Sequence, residues 1–358
     1  MLPLRLVRSV LLTLYFCAPL AASDAFAQTY IELDFVPVGI SGDGQIVVGE
    51  EGLWSPTLGD LGSPVVSADL VATNEDGSIV AGDFSRSLVR EAFVATDPTG
   101  VQTTGFRDLG YIINAAKAMS GNGAFVALDS VSPSGREYDL WTPATNDFVE
   151  IDVTIVPGAT PPILNDISNG GVVVGRDGNA EAFRWGPVNG SGFLDVPVGS
   201  ASEAAAISDA GDWIAGQAGT EAVRWNAAGA RSSLGVPGGL ASWASSISGD
   251  GSTIGGGAFG FDGAFLWTEP DGYQNLAVML TAMGIDYGSP FWVLRDVVDI
   301  STDGRTIVGT RFNAGGGSAG FYFVVPEPGT GLLLGLGLAA LTRRRQPANP
   351  LPGRDSTA

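Results

Sequence analysis

One pattern of polar and apolar positions returns seven times along this chain. Each copy has an apolar residue, then Ser or Asn, a turn containing Gly, a short run of Val, Ile or Ala, and usually a closing Gly. The copies are 39–49, 72–82, 118–128, 166–175, 206–216, 246–256 and 298–309. Their Ser or Asn residues lie 33, 46, 48, 40, 40 and 53 residues apart. Such a period predicts one supersecondary unit stacked several times.

Each copy predicts a tight β-hairpin. Asp-Gly, Asn-Gly or Gly-Gly between two β-forming runs marks such a turn, because Gly adopts positive φ without steric cost. The Ser or Asn before the turn can hydrogen-bond to the turn backbone. Runs such as 46–48 and 306–308 are short and β-branched, which indicates buried strands. The closing Gly, as at Gly216, indicates a strand end or a close approach of another backbone.

An apolar, aromatic strand follows each hairpin, and most units then close with a segment centred on Leu. The aromatic strands are 53–54, 92–94, 140–141, 182–185, 222–225, 264–267 and 320–323. About four short strands per unit of roughly 40–45 residues are typical of a propeller blade. The pattern therefore predicts an all-β fold, a seven-bladed β-propeller.

The seventh unit has room for only three strands before residue 325. Residues 30–36 alternate as a strand without a hairpin partner of their own. We expect this N-terminal strand to close the propeller by pairing with residues 320–325. The long gap before the last copy contains residues 276–284, which predict a short amphipathic helix ended by Gly284. Packing of this helix on the rim of its own fold is favoured over a helix-lined site.

The N-terminus predicts a secretory signal peptide over residues 1–27. Arg5 and Arg8 precede an apolar stretch at 10–22, and Ala25 and Ala27 frame a small-x-small cleavage site, which leaves Gln28 as the new N-terminus. An uncleaved anchor is the alternative, but the apolar core is shorter than the ~20 residues of a spanning helix.

The C-terminus places a Pro-Glu-Pro motif, an apolar stretch at 329–341 and an arginine cluster in direct succession. The residues concerned are Pro326, Glu327, Pro328, Arg343, Arg344 and Arg345. Apolar residues followed by cations fit a membrane segment stopped by charges that stay cytoplasmic. About a dozen apolar residues is short for a span, and spacing alone also allows a disordered tail.

Composition narrows the function. An apolar fraction of 45% with 16% charged residues fits a buried core. The net charge of −20 would repel a phosphate backbone, so nucleic acid is excluded as a partner. Cys17, the only cysteine, lies in the leader, and His is absent. A Ser/His/Asp triad, disulfides and Cys-ligated metals are therefore excluded from the mature chain, and we expect no cofactor.

The motif, apolar segment and arginine cluster at 326–346 resemble the PEP-CTERM sorting signal. The resemblance implies export by a Gram-negative-type bacterium, a transient inner-membrane tether, and cleavage near Pro-Glu-Pro by an exosortase. It also implies an association with exopolysaccharide and biofilm. Residues 347–358 depart from the family, which usually stops soon after its arginines, and are expected to form a disordered tail.

The body resembles the HAF-type extracellular repeat. Residues 182–185 and 264–267 match its Ala-Phe-x-Trp strand, and the resemblance extends over 39–325. The position before Ala holds Glu91, Glu181, Glu221 or Gly263 where the family has His. The family carries no agreed activity, so the resemblance implies an architecture for the predicted domain, 28–325.

Trp243 and Trp292 are the candidates for ligand stacking, because they fall outside the register of the repeated tryptophans. The repeated ones recur on the same strand, which favours packing between units. They are Trp54, Trp141, Trp185, Trp225 and Trp267.

Asp166 and Asp299 are the carboxylates that could line a channel. Both stand two residues before the Ser of the repeat, but in units four and seven, so we expect them far apart and not an acid/base pair. Asp43, Asp76, Asp250 and Asp303 lie in the turns, where one carboxylate per turn falls short of a calcium site.

These observations predict an exported cell-surface or matrix protein that is not an enzyme. It would act as a structural or binding module for an exopolysaccharide, a surface glycan or a protein. The alternative is a secreted glycan-active hydrolase or lyase on the same scaffold. The sequence leaves the ligand and the oligomeric state open.

Overall fold

The computed structural model describes residues 30–325, except 51, 66–67, 87–88, 97–99, 104–112, 133–134, 154–159, 238–240, 261 and 289. The predicted signal peptide (1–27), sorting segment (326–346) and tail (347–358) lie outside the described residues. The described chain is all-β with one short helix, as the repeat predicts.

The strands are grouped in antiparallel units of four, which we number in chain order. Unit 1 contains β2 (Pro37–Ile40), β3 (Val47–Gly49), β4 (Leu53–Ser55) and β5 (Gly59–Gly62). Unit 2 contains β6 (Ala68–Thr73), β7 (Ile79–Arg86), β8 (Val89–Thr96) and β9 (Gly100–Thr103). Unit 3 contains β10 (Ile113–Met119), β11 (Val126–Ser132), β12 (Gly135–Thr142) and β13 (Asp147–Glu150). A single parallel pairing, Ile113 with Arg90, joins units 2 and 3 into one sheet.

The remaining units form separate sheets. Unit 4 contains β14 (Ile163–Ile167), β15 (Val173–Arg176), β16 (Ala182–Gly186) and β17 (Gly190–Phe193). Unit 5 contains β18 (Ser202–Ile207), β19 (Trp213–Ala218), β20 (Glu221–Asn226) and β21 (Arg231–Ser233). Unit 6 contains β22 (Ser242–Ile247), β23 (Thr253–Ala258), β24 (Phe265–Thr268) and β25 (Gly272–Asn275), followed by α1 (Leu276–Ala282). Unit 7 contains β26 (Trp292–Ile300), β27 (Thr306–Asn313), β28 (Ser318–Val324) and β1 (Tyr30–Leu33).

The N-terminal strand completes unit 7. β1 pairs antiparallel with β28, with Tyr30 opposite Phe323 and Leu33 opposite Gly320. The predicted pairing of the two ends of the domain is therefore confirmed for residues 30–33, which lie beside 320–323.

Each repeated phrase forms the predicted hairpin between the first and second strands of its unit. In unit 7, the Ser301 hydroxyl oxygen accepts the backbone N–H of Thr306 at 2.9 Å. Gly304 in this turn has a φ of 73°, and the corresponding Gly of every other unit also lies in the left-handed region. The turn therefore depends on the Ser side chain and on Gly, as the pattern predicts.

The closing Gly of the phrase makes room for a backbone carbonyl. A Cβ added to Gly216 would lie 2.0 Å from the carbonyl oxygen of Glu203, on the first strand of the same unit. The first strand has a bulge here, between Ala204 and Ala206. The same arrangement, with Cβ-to-oxygen distances of 1.9–2.4 Å, recurs at Gly82, Gly175, Gly256 and Gly309. The predicted close approach of another backbone is confirmed at these positions. At Gly49, for which it was also predicted, the added Cβ would instead lie 2.8 Å from the ring of Phe35.

The hydrophobic core lies between the units. Each of the clusters formed by described residues combines side chains of two neighbouring units, and one joins unit 7 to unit 1. In the cluster between units 4 and 5, Trp225 is completely buried and shares the core with Val174 and Leu194. Trp141, Trp185 and Trp267 are also buried, whereas Trp54 is half-buried. Packing between units accounts for the repeated aromatic strand.

The predicted helix is present and packs on its own fold. The side chain of Asn275 caps α1 by accepting the N–H of Val278 at 3.0 Å. Leu276 and Leu280 are fully buried in the cluster between units 6 and 7. The chain leaves the helix through Gly284, which has a φ of 74°.

We expect Gly216→Ala to destabilise the fold, because the new methyl group would meet a backbone carbonyl that only a backbone shift can move. A loss of about 1–3 kcal/mol in the free energy of unfolding is expected. Urea denaturation followed by tryptophan fluorescence measures it. Gly192→Ala is the control, since no heavy atom lies within 4 Å of its added Cβ. Equal stability of the two variants would contradict this account of the closing Gly.

Candidate functional site

The hairpin turns of neighbouring units are hydrogen-bonded to one another, and we call this set the turn ring. Its members are the turns 41–44, 74–77, 120–123, 168–171, 208–211, 248–251 and 301–304. From unit 7 to unit 1, the N–H of Thr302 donates to the carbonyl of Gly42 at 2.8 Å. Comparable backbone bonds link units 1 to 2, 2 to 3, 4 to 5, 5 to 6 and 6 to 7.

The link between units 3 and 4 uses a side chain in place of the direct backbone bond. The N–H of Asn122 donates to the side-chain oxygen of Asn169 at 2.7 Å. The Asn122 side-chain amide in turn donates to the Asn169 carbonyl at 3.2 Å. Each turn thus holds the next one, and the last turn holds the first.

The aspartates in the turns accept hydrogen bonds from groups of their own turn. In unit 7, Asp303 accepts hydrogen bonds from the Ser301 hydroxyl and from the N–H of Arg305, at 2.7 and 3.0 Å. Asp43 and Asp250 make the equivalent bonds in units 1 and 6, and Asp76 accepts from Asn74 and Ser78 in unit 2. No group of three metal-ligating His, Cys, Asp or Glu residues occurs in the described part of the chain.

Asp166 and Asp299 border one cavity of about 600 Å³, which lies between the first strands of the units. Both also border a smaller cavity of about 100 Å³ that reaches the turn ring at Gly42 and Asp209. Although they belong to units four and seven, the two carboxyl groups thus line the same cavities. The first strands converge around this cavity, so residues of units 4 and 7 face the same space.

Each of these carboxyl groups connects its unit to the next. The Asp166 carboxylate accepts the N–H of Ile167 at 2.7 Å and the N–H of Ile207, in unit 5, at 2.8 Å. The Asp299 carboxylate accepts the N–H of Ile300 and the N–H of Ile40, in unit 1, both at 2.8 Å. Ile207 and Ile40 occupy equivalent positions, one residue before the Ser of the repeat.

Burial changes the acidity of both groups. It raises the pKa of Asp166 to about 7, and the nearby charge of Asp299 adds to this rise. Burial also raises the pKa of Asp299 to about 6. In both cases the two backbone N–H donors oppose the rise, because they favour the charged carboxylate. The hydrogen bonds that join neighbouring units therefore explain both carboxylates without assigning either of them a role in catalysis.

Trp243 is half-buried between an arginine and a glycine. The guanidinium of Arg295 lies 5.0 Å from the centre of the indole, and a Cβ added to Gly257 would lie 2.5 Å from the indole carbon Cζ2. The edge of Phe259 meets the indole with ring centres 5.5 Å apart. Phe259 is 54% exposed, so it presents an aromatic surface beside Trp243.

Trp292 has the same kind of environment in unit 7. The guanidinium of Arg311 lies 4.4 Å from the indole centre, and a Cβ added to Gly288 would lie 3.0 Å from the indole carbon Cδ1. The preceding residue, Phe291, is 78% exposed. Ligand stacking at Trp243 and Trp292 stays a prediction, and the exposed rings beside them are Phe259 and Phe291.

Trp243, Phe259 and Arg295 are in contact with one another, and Phe291 and Trp292 lie where β26 begins, at the end of unit 7 away from the turn ring. We call Trp243, Phe259, Phe291, Trp292 and Arg295 the aromatic–arginine patch. Sequence reasoning named only its two tryptophans. The other three lie outside the repeated phrase, and their position beside the tryptophans depends on how units 6 and 7 pack.

The predicted processing residues lie outside the described residues. They are Ala25, Ala27, Pro326, Glu327, Pro328, Arg343, Arg344 and Arg345. The last described residue, Val325, is held to the fold by its N–H, which donates to the carbonyl of Arg305 at 2.7 Å. Within the described residues, no helix has the length and apolar character needed to cross a membrane.

Comparisons with known proteins bear on the C-terminus and on the fold. The model of the PEP-CTERM protein-sorting motif matches residues 324–346, which confirms that predicted signal. The match implies an exported protein that is sorted by an exosortase through a membrane-associated signal. The proposed HAF-type resemblance stays a prediction. No curated protein matches the chain.

Among solved structures, TolB from Acinetobacter baumannii is 11% identical with a TM-score of 0.43, over 83% of this chain and 64% of that one. The chain thus matches less than two thirds of the length of that protein. The β-propeller domain of Myceliophteria thermophila Cps50 (Swd1) is 9% identical with a TM-score of 0.49, over 83% of this chain and 98% of that domain.

The raised pKa values predict that stability falls as pH rises from about 4 to 7. Between the ordinary pKa of 3.8 and these raised values, the folded state holds protons that the unfolded state releases. Each carboxyl group can contribute at most about 1.4 kcal/mol per pH unit. Denaturant titrations across this range should give a smaller slope for Asp166→Asn combined with Asp299→Asn.

The exposed Asp147 supplies the control for this measurement, as Asp147→Asn should leave the slope unchanged. The slope is compared, and not the stability at one pH, because Asn also removes an acceptor from two backbone N–H groups. A double variant with the slope of the wild type would contradict the raised pKa values.

Proposed function

We propose that this chain is an exported surface or matrix protein, a seven-bladed β-propeller that works by binding and has no catalytic activity. The observation that carries the architecture is the cyclic order of contacts. The first strand of each unit contacts that of the next, and β26 of unit 7 contacts β2 of unit 1. The core clusters and the turn ring follow the same cyclic order.

The N-terminal strand would then be the closing strand of the propeller. Its pairing with β28 joins residues almost 300 positions apart in the sequence, and Leu33 adds to the cluster between units 7 and 1. The proposed domain spans residues 28–325, between the signal peptide and the sorting motif.

Export follows from the sorting motif, and the role after export is our proposal. We place the mature chain at the cell surface or in an extracellular matrix, in association with exopolysaccharide or biofilm. A transient tether to the inner membrane would precede cleavage by the exosortase. The family of the motif supports this sequence of events.

The aromatic–arginine patch is the proposed binding surface. Phe259 and Phe291 expose large apolar rings, and aromatic residues are enriched at binding interfaces relative to the rest of a protein surface. Phe259 contacts Trp243 and Arg295, so binding to it would cost little ordering of its side chain. We propose that the ligand is a glycan, whose sugar rings offer flat C–H faces to the aromatic rings.

The alternative, a glycan-active enzyme, has one observation in its favour. Asp166, with a pKa of about 7, faces a cavity of about 600 Å³ together with a second carboxyl group. Against it, both carboxylates already accept a backbone N–H from the next unit. We therefore propose binding, and loss of polysaccharide cleavage in Asp166→Asn would overturn that choice.

Removal of the signal peptide and cleavage at the sorting motif predict a mature chain with defined ends. We expect intact-mass analysis of the exported protein to show an N-terminus at Gln28 and a C-terminus near Pro326-Glu327-Pro328. Changing Pro326 and Pro328 to Ala should leave the C-terminal segment attached, because the recognised motif is lost. Pro350→Ala, in the tail, is the control and should be processed normally. Release of the wild-type chain with residue 358 still present would contradict the proposal.

Glycan-array binding of the full chain tests the patch. Phe259→Ala and Phe291→Ala should each weaken the binding of any glycan found by roughly fivefold or more, because they remove exposed contact surface. Phe193→Ala is the control, since Phe193 is 59% exposed on β17 of unit 4. Trp243→Ala and Trp292→Ala should lower stability as well as binding. Binding that is unaffected by both Phe variants would place the glycan elsewhere.

A further inference from the structure

The patch contains an arginine that forms no salt bridge with the described residues. Arg224 and Arg311 also lie over tryptophan rings, but they form ion pairs with Glu269 and Glu32. Arg295 forms no ion pair with any residue in the described ranges. The neighbouring Asp296 accepts a hydrogen bond from Thr310.

The Arg295 guanidinium contacts two aromatic rings, and the charge of the neighbouring Asp296 carboxylate also acts on it. It lies 5.0 Å from the centre of Trp243 and 5.3 Å from that of Phe259. Stacking occupies the flat face of the guanidinium, and its N–H groups point outward from the edge of that plane. A stacked guanidinium of this kind offers a fixed fork of donors, which matches the two oxygens of a carboxylate.

The net negative charge of the chain limits where an anionic ligand can bind. The chain has a net charge of −20, so an acidic polymer is repelled by most of the protein. At physiological salt this repulsion is screened beyond about 8 Å. An anionic group can therefore be bound locally at Arg295, where a cation and two apolar rings coincide.

We infer that the patch recognises an acidic polysaccharide, with a uronic-acid carboxylate on Arg295 and the sugar ring on Phe259 beside it. This inference rests on the proposed glycan-binding function and specifies its ligand class.

Calorimetric titration of the full chain with oligogalacturonate and with its fully methyl-esterified form tests the carboxylate. The two probes share the sugar chain and differ in charge. We expect the acidic form to bind about tenfold more tightly or better, the range for a charge-assisted hydrogen bond. Arg295→Gln should abolish this preference and retain weak binding of both forms. Arg295→Lys should keep part of it, because a point charge replaces the fork.

Arg231→Gln, which removes the same charge on β21 of unit 5, is the control and should keep the preference. Equal binding of acid and ester would overturn the acidic class and leave the proposed glycan binding standing. Equal binding of poly-glutamate and oligogalacturonate would overturn the assignment in favour of an acidic peptide. If neither oligosaccharide binds and the glycan array is also negative, the proposed function fails together with this inference.

Discussion

The interaction on which the structure depends is the hydrogen bond from one hairpin turn to the next. In all units except unit 3, whose first strand pairs with unit 2 at Ile113, the first strand is a sheet edge. Unpaired backbone groups along such an edge would be costly. The turn ring satisfies these groups at one end, where Thr302 of the last unit binds Gly42 of the first. Asp166 and Asp299, which border the cavity, also accept a backbone N–H group of the next unit, at two of the boundaries between units. Neighbouring units are therefore fixed in angle as well as packed together.

Much of this fold can be predicted from the sequence, because its determinants are local. A Ser, a Gly and a β-branched run specify each hairpin within a dozen residues, and a strand without a partner at each end specifies their pairing. The role of Asp299 could not be predicted in this way, since its acceptor bond joins residues 259 positions apart. The same holds for the patch. Arg295 reaches Trp243 only because of the angle between units 6 and 7, and that angle has no local signature in the sequence.

Regularity and specificity are divided between different parts of each unit. Turns, closing glycines and aromatic strands recur because every unit needs the same hairpin and the same inter-unit core. The aromatic–arginine patch lies where units 6 and 7 depart from that pattern. Asp166 and Asp299 are departures of the other kind, since they replace small residues at the cavity and strengthen two boundaries. Side chains at the patch can therefore be replaced without altering the scaffold that positions them.

The pairing of β1 with β28 has a mechanical consequence. β28 ends at Val324, and the next residue, Val325, is the last one that the structure describes. β28 is not an edge strand, because β27 and β1 are hydrogen-bonded to its two sides. A pulling force transmitted through the C-terminal segment must therefore separate β28 from two strands at once. β1 thus stabilises the strand to which such a force would be applied first. Unfolding under that force would have to break the pairing between the two ends of the domain.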